Sequence, residues 1–347
     1  MIKSLTSLRG IFILFIFFHH CLNIYPGGGS MAVAFFFVLG GFSMTLGYKD
    51  RVLKPEFSYK QYITRRCVKF YPLHWLCLLA VLPLVGLPFT VNQGGAFVLN
   101  VSLMQTLLPI KELFFSFNAV SWYLADTLIF SLAFPPVIKL ILKSSTKGRA
   151  CVATVIAAIY IAVAIMIPIE QYHYVLYISP YMRLADFVFG IYLALGYFKL
   201  KEQSHRLEFF KKEYISLCII IALTSLLILE SCLFHSPVIH VAPIYWPLVA
   251  LVILTASLIP TGGGKFIENR VLLLLGELSF TIFLTHQLVL RYVSIIFNYC
   301  YLDKSYFYIL LTLLLTFVVS FVVERYVLNP ITQWLTKRIQ PSMTARS

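Results

Sequence analysis

Leu8-Arg9-Gly10-Ile11-Phe12-Ile13-Leu14-Phe15-Ile16-Phe17-Phe18-His19-His20-Cys21-Leu22 is the stretch on which the fold of this chain turns. With its flanks it makes an apolar run near 7–24, and a helix that crosses a bilayer needs about 20 mostly apolar residues. A secretory leader has a similar length. This run has no small-residue cleavage site and carries two histidines, so it reads as a spanning helix that is retained. The steps from Arg9 to His20, at about 100° each, come to roughly three turns, which places both on one face about 16 Å apart along the axis. His19 lies about 100° off that line. An ionisable group at membrane depth is by default a functional hypothesis. The bland alternative has His20 bonding between helices and Arg9 marking the inner interface.

Working outward, nine more segments have spanning length and apolar character: near 31–48, 70–88, 119–142, 150–168, 183–198, 214–234, 243–260, 271–298 and 305–327. The stretch 96–109 is shorter, holds Asn100 and Gln105, ends at Pro109, and reads as a re-entrant or interfacial piece. The composition agrees: of 347 residues, 60% are apolar and 12% charged, against roughly 45–50% and 25% in soluble domains. That excludes a water-soluble globule. An aromatic share of 16% with few Gly, Pro and Cys excludes collagen-like, disordered and disulfide-stapled chains. The expectation is an all-α, polytopic membrane protein of about ten transmembrane helices. It comprises one transmembrane domain over 1–335 and a short polar tail over 336–347.

The net charge of +14 raises nucleic acid as a partner, but its layout speaks for topology. With the N-terminus inside, 24 of the 28 basic residues fall on cytoplasmic segments, leaving Lys111, Arg183, Arg291 and Lys304. That bias places both termini in the cytoplasm and gives a multi-pass protein of the inner or plasma membrane, with lipids and no nucleic acid as partners. The cysteines Cys21, Cys67, Cys77, Cys151, Cys218, Cys232 and Cys300 are scattered and read as packing residues, with no metal site. Tyr25, Tyr172, Tyr174, Tyr177 and Trp246 read as an interfacial belt with sugar stacking as the alternative. The Gly27-Gly28-Gly29 and Gly262-Gly263-Gly264 runs punctuate loops.

Two further features carry chemistry. Phe35-Phe36-Phe37-Val38-Leu39-Gly40-Gly41-Phe42-Ser43 puts paired glycines inside a spanning helix, where they permit close backbone approach. The inner segment from Tyr62 to Pro72 holds Arg65, Arg66 and Lys69, within about a turn of one another if it is helical and then suited to phosphate oxygens. Lipid headgroup contact is the plainer role for that patch.

Taken in order, these residues resemble a known family. Leu8-Arg9-Gly10 with His20, the Phe-rich Gly40-Gly41 run, Arg65-Arg66 leading to Tyr71-Pro72, Ser121-Trp122-Tyr123-Leu124 running to Phe134-Pro135, and the stretch from Leu275 through Ser279-Phe280 to His286 look like acyltransferase family 3, across nearly the whole chain. The resemblance implies an integral membrane enzyme that moves an acyl group, usually acetyl, from cytosolic acyl-coenzyme A to a hydroxyl of a cell-surface or exported carbohydrate, an O-acetylation of the cell envelope. It implies His20 as the essential histidine with Arg9 paired to it, Arg65, Arg66 and Lys69 as the coenzyme-facing basic group, and His286 as a second catalytic histidine. The sequence departs from the family at Gly40, at Lys69, and at Asp126-Thr127-Leu128, where many members have paired glutamates.

On this expectation coenzyme phosphates meet Arg9, Arg65, Arg66 and Lys69, the pantetheine arm follows the first-helix stripe, and His20 acts as general base or as acyl acceptor. His286 orients His20 or polarises the thioester carbonyl. Ser43, Trp122, Asp126 and Arg183 are the candidate acceptor contacts; Asp126, Arg183, Asp186 and Arg291 fall toward the outer half, where mutual ion pairing is the structural alternative. Glu277, Glu324 and Arg325 sit near the inner face as structural residues. The rival function is a secondary transporter or lipid-linked substrate exporter whose histidines relay protons, though no pair of interrupted helices recurs in two halves. A non-catalytic scaffold is the third possibility.

Overall fold

The structure, a computed structural model, describes residues 2–22, 28–86, 90–202, 213–233, 240–260, 264–302 and 306–339. Tyr25, Arg206, Lys211, Lys212, Lys304, Arg346, the tail from 340 onward, and Gly27, Gly262 and Gly263 of the two glycine runs lie outside these residues. It is 87% helical, with no strand among the described residues. The helices are α1 (Lys3–Leu22), α2 (Gly28–Val52), α3 (Tyr59–Val85), α4 (Val91–Val101), α5 (Lys111–Phe114), α6 (Ser121–Lys143), α7 (Thr146–Met166), α8 (Pro180–Glu202), α9 (Glu213–Leu233), α10 (Trp246–Leu258), α11 (Arg270–Tyr299), α12 (Tyr306–Val322) and α13 (Asn329–Ile339).

Among the described residues, eight helices are long and apolar enough to cross a membrane, and nine if Ile169–Ile178 and α8, bent by 51°, count as one span. This agrees with the expected all-α protein of about ten transmembrane helices; the remaining segment is the apolar helix Ala242–Leu258, which is shorter than the others. Pro243 and Pro247 explain the shortening: each lacks an N–H, so the segment opens as a 3-10 turn over Ala242–Tyr245 and α10 starts only at Trp246. The bend before α8 has a similar cause. Ser179 sits at φ −58°, ψ 127°, outside the α region that Pro180 disfavours for the residue before it.

Packing groups the chain into two compact units, one of residues 1–55 and 133–279, the other of 56–132 and 280–347. In the first, α2 lies along α8, and α10 packs against α9, α2 and α1. Gly41 of α2 meets the carbonyl of Phe187, and Gly190 of α8 meets the carbonyl of Val38, so closely that a Cβ at either position would overlap them. Paired small residues of this kind let membrane helices meet backbone to backbone. The core beside them is aromatic: Phe12, Phe17, Phe35, Phe37 and Phe42 are buried, with Phe12 stacked on Phe35 at 3.7 Å.

In the second unit α3 starts at an N-cap, Ser58, whose hydroxyl accepts from the Gln61 amide at 3.3 Å. The stretch from Tyr62 to Pro72 is therefore helix from the outset rather than a loop before the span. α4 is a half-length helix folded back on α3. Its last carbonyls, which no helical partner can satisfy, accept from three α3 side chains: His74 Nε2 on Asn100 O (2.7 Å), Trp75 Nε1 on Val101 O (3.1 Å) and Tyr71 Oη on Ser102 O (2.9 Å). Irregular backbone survives at membrane depth only when protein covers it. These three donors, all midway along α3, supply that cover at the end of α4, which suits either the re-entrant or the interfacial reading of the 96–109 stretch.

Candidate active site

In the first unit the site is built at a glycine crossing. A Cβ on Gly10 would sit 2.8 Å from Gly276 N and 2.9 Å from Leu272 O, and one on Gly276 would overlap the Thr6 carbonyl. With the backbones of α1 and α11 this close, side chains near the crossing can reach across: Arg9 Nη2 donates to Ser279 Oγ at 2.9 Å, and Ser279 Oγ donates to Gly276 O at 2.8 Å. The motif glycines thus set the approach, and the motif arginine and serine use it. His20 is two residues from the end of α1, exposed, with its ring 5.2 Å from that of His19. Helical geometry over Lys3–Leu22 keeps it on the Arg9 face. Ser43 is exposed on α2.

Arg183, by contrast, is buried at 1% exposure. Its Nη1 donates to Asp186 Oδ2 at 2.7 Å and its Nε to Tyr177 O at 2.7 Å, while its guanidinium lies 4.7 Å from the Tyr177 ring centre. Trp246 Nε1 donates to Asp186 Oδ1 at 2.6 Å. Trp246 therefore serves a buried carboxylate, and Arg183 and Asp186 form an ion pair. Beside them His240 packs against His173 at 4.8 Å and Tyr177 at 5.3 Å. Burial first, then the neighbouring His173 and Arg183, push its imidazole down to about 3, so it is held neutral.

In the second unit Arg65 and Lys69 are exposed on α3, one helical turn apart, and Arg66 is half-buried with its guanidinium 5.1 Å from the Tyr62 ring. Trp122 and Asp126 are buried on α6. His286 is fully buried on α11. Its Nδ1 faces the carbonyls of Phe283 (2.7 Å) and Ile282 (3.1 Å). Carbonyls only accept, so Nδ1 carries the hydrogen and a neutral ring presents Nε2 as its basic nitrogen. That orientation suits a proton acceptor, whereas polarising a carbonyl needs an N–H at Nε2.

The turn that carries His286 is held from three directions. Asn118 Nδ2 donates to Leu284 O at 3.0 Å, Thr285 and Ser320 share a hydroxyl bond at 2.8 Å, and Thr281 donates to Glu324. Arg291 Nη1 donates to Phe117 O at 3.1 Å, so this arginine fastens the segment before α6. Sequence reasoning missed Ser279, Asn118 and His74. His74 was discoverable as an ionisable residue inside an apolar span; Ser279 and Asn118 find their partners 270 and 166 residues away, and no local pattern announces that. Among the described residues no three His, Cys, Asp or Glu side chains gather as a metal-binding group.

A multi-helix membrane fold, a motif arginine pinned at a glycine crossing and an exposed histidine on the same helix face define a class: a membrane protein with a polar, imidazole-bearing site. The chain belongs to the family of the acyltransferase domain, whose model matches residues 2–325. A curated relative, the acyltransferase MdmB of Streptomyces mycarofaciens, is 27% identical over 290 residues, covering 76% of this chain and 69% of the relative. No solved structure matches the chain. The protein is a multi-pass membrane acyltransferase.

Proposed function

We propose that this acyltransferase takes its acyl group, most simply acetyl, from acyl-coenzyme A on the cytoplasmic side and places it on a hydroxyl of a cell-surface or exported carbohydrate, in the inner or plasma membrane. The observation that carries the reading is Arg9, held by Ser279 where α1 and α11 cross, with His20 exposed on the same face of α1. The separation of about 16 Å is of the order an extended pantetheine arm covers. In this reading Arg9, Arg65, Arg66 and Lys69 hold the coenzyme phosphates, an arrangement their cationic, fork-shaped or point-charge donors suit. Ser43, Trp122, Asp126 and Arg183 belong to the acceptor side; Arg183 and Asp126, being buried, act there by shaping the wall.

Chemically, His20 takes the proton of the acceptor hydroxyl as its oxygen attacks the thioester carbonyl; the carbon–sulfur bond breaks and the coenzyme thiolate leaves. The covalent variant uses the same residue: the ring nitrogen attacks the thioester carbonyl, the carbon–sulfur bond breaks and the coenzyme thiolate departs, leaving an acyl-imidazole, and the acceptor oxygen then takes the acyl group as the nitrogen–carbon bond breaks and its proton passes to the thiolate. His286, with Nε2 as its basic nitrogen, is the second proton acceptor.

The test is incubation of the purified protein with radiolabelled acetyl-coenzyme A and extracted cell-surface glycans. Label on glycan supports the reading; none, with intact folded protein, sinks it. Omitting the glycan separates the routes, because only the covalent one leaves label on the protein.

A further inference from the structure

The proposed chemistry makes no use of α13, which runs over Asn329–Ile339, past residue 325 where the match to the family's model ends. Its two faces differ. Leu328, Thr332 and Leu335, spaced for one side of a helix, are buried or half-buried, and α13 packs against α3. Thr332 donates its hydroxyl back to Leu328 O at 2.8 Å, so the packed face asks nothing polar of its neighbour. On the other face Ile331 and Trp334 are 39% and 52% exposed, and Lys337 and Arg338, one turn further on, are exposed too. The Arg338 guanidinium lies 4.1 Å from the Trp334 ring centre. Stacking on the ring holds that planar fork at the end of the helix while leaving its edge free to bind an anion.

Length says where this face sits. α12, the π-helical turn Val323–Leu328 and α13 follow one another from Tyr306 to Arg338. The steps from Tyr306 to Trp334 come to about 40 Å at 1.5 Å each, close to the roughly 40–45 Å of a bilayer with its headgroup layers. Tyr306 is 90% exposed, so both ends of this run show an aromatic ring, as the two membrane interfaces require. From Ile331 through Trp334 to Lys337 and Arg338 the exposed side chains then pass from hydrocarbon edge to interface to phosphate layer. Arg325, exposed higher on the run, is near enough to its end to snorkel toward that layer.

Charge says what the face meets. From Arg325 to Ile339 there are three basic residues, Arg325, Lys337 and Arg338, and no acidic one. The helix it packs on opens the same way, with Lys60, Arg65, Arg66 and Lys69 and no acidic residue from Tyr59 to Lys69. A zwitterionic headgroup would carry an ammonium into this field beside its phosphate; an anionic headgroup carries the phosphate alone. We propose that α13 is a binding face for an anionic phospholipid, with an acyl chain along Ile331 and Trp334 and the headgroup phosphate on Lys337 and Arg338. The proposal is independent of the acyl-transfer chemistry.

The experiment is equilibrium binding of radiolabelled short-chain phosphatidylglycerol to the full chain in micelles of a neutral maltoside detergent, with unlabelled phosphatidylglycerol, phosphatidylcholine and coenzyme A as competitors. The face predicts a saturable component displaced by phosphatidylglycerol and by neither of the others at the same concentration. Lys337→Gln with Arg338→Gln is expected to raise Kd about thirtyfold, the combined contribution of two basic residues at an anionic surface. Lys337→Arg with Arg338→Lys keeps the charge and should stay within a few-fold of the parent. Both side chains are exposed, so the thermal midpoint of either double variant stays at the parental value, which separates binding from folding. Absence of a saturable component, unchanged affinity in the double glutamine variant, or equal displacement by phosphatidylcholine overturns the proposal. Displacement by coenzyme A overturns it too, because these cations would then serve a soluble phosphate and not a lipid.

Discussion

A single serine decides how firmly the motif arginine is placed. Ser279 Oγ accepts from Arg9 and donates its own hydrogen bond to Gly276 O, so it is held in the orientation that accepts. Hydrogen bonds to charged groups contribute about 1.5–3 kcal/mol, and Ser279→Ala is therefore expected to raise KM for acyl-coenzyme A tenfold or more while kcat falls much less, as steady-state kinetics at several donor concentrations will tell; equal loss in both would give Arg9 a role in the chemistry itself. Arg9 and His20 were legible as a pair because helix geometry alone puts them on one face. Ser279 was legible only as a letter in a motif, since the crossing that brings it to Arg9 joins helices far apart in sequence. Arg183 shows another limit: the sequence left its pairing with Asp186 as one of two readings, and the structure shows that pair beside the Tyr177 ring, a contact no local pattern gives.

At the scale of helices, the Gly41 and Gly190 contacts make α2 and α8 a pair with no room for a larger side chain. Gly41→Leu forces the Phe187 carbonyl aside, and overpacking of this kind destabilises by about 1–3 kcal/mol; the thermal midpoint in detergent should drop by several degrees, while Gly47→Leu, with open space around it, should not move it. The basic turn at the start of α3 makes a different prediction. Replacing Arg65 and Arg66 together with Ala should weaken coenzyme A binding more than acceptor binding, and unchanged coenzyme affinity would return that turn to headgroup contact. The cluster around His240 predicts a pH effect with a definite sign. His240 is neutral in the fold with a value near 3 and titrates at about 6.5 when unfolded, so the unfolded chain binds the extra proton, and stability falls as pH drops below about 6.5 toward 3. His240→Gln should flatten part of that slope in thermal melts run across the range. That α4 is too short to span was readable from its sequence with Asn100 and Gln105, but the capping of its end by Tyr71, His74 and Trp75 was not, because three donors on a neighbouring helix leave no periodicity in α4 itself.

For the molecule as a whole, composition was enough to place the chain in a membrane, because it is a sum over many residues rather than any one contact; the charge layout, a sum of the same kind, gives an expected orientation. The spans were legible too, and only the length of one helix was not. Hydropathy sees an apolar run at 243–260, yet Pro243 and Pro247 shorten the helix it forms, and hydropathy is blind to a missing N–H. Orientation remains checkable by chemistry: Cys151 opens α7 and Cys300 follows α11, both exposed. With both termini inside, a membrane-impermeant thiol reagent applied to intact cells should label a single-cysteine variant keeping Cys300 and spare one keeping Cys151; the reverse pattern would invert the topology and move the acyl donor to the other side.

The most direct measurement is acyl transfer by His20→Ala, purified beside the parent protein and assayed with radiolabelled acetyl-coenzyme A and envelope glycans. The account predicts a variant that inserts, folds and still binds coenzyme A but transfers no label. Transfer at a substantial fraction of the parental rate would contradict it and remove His20 from the chemistry.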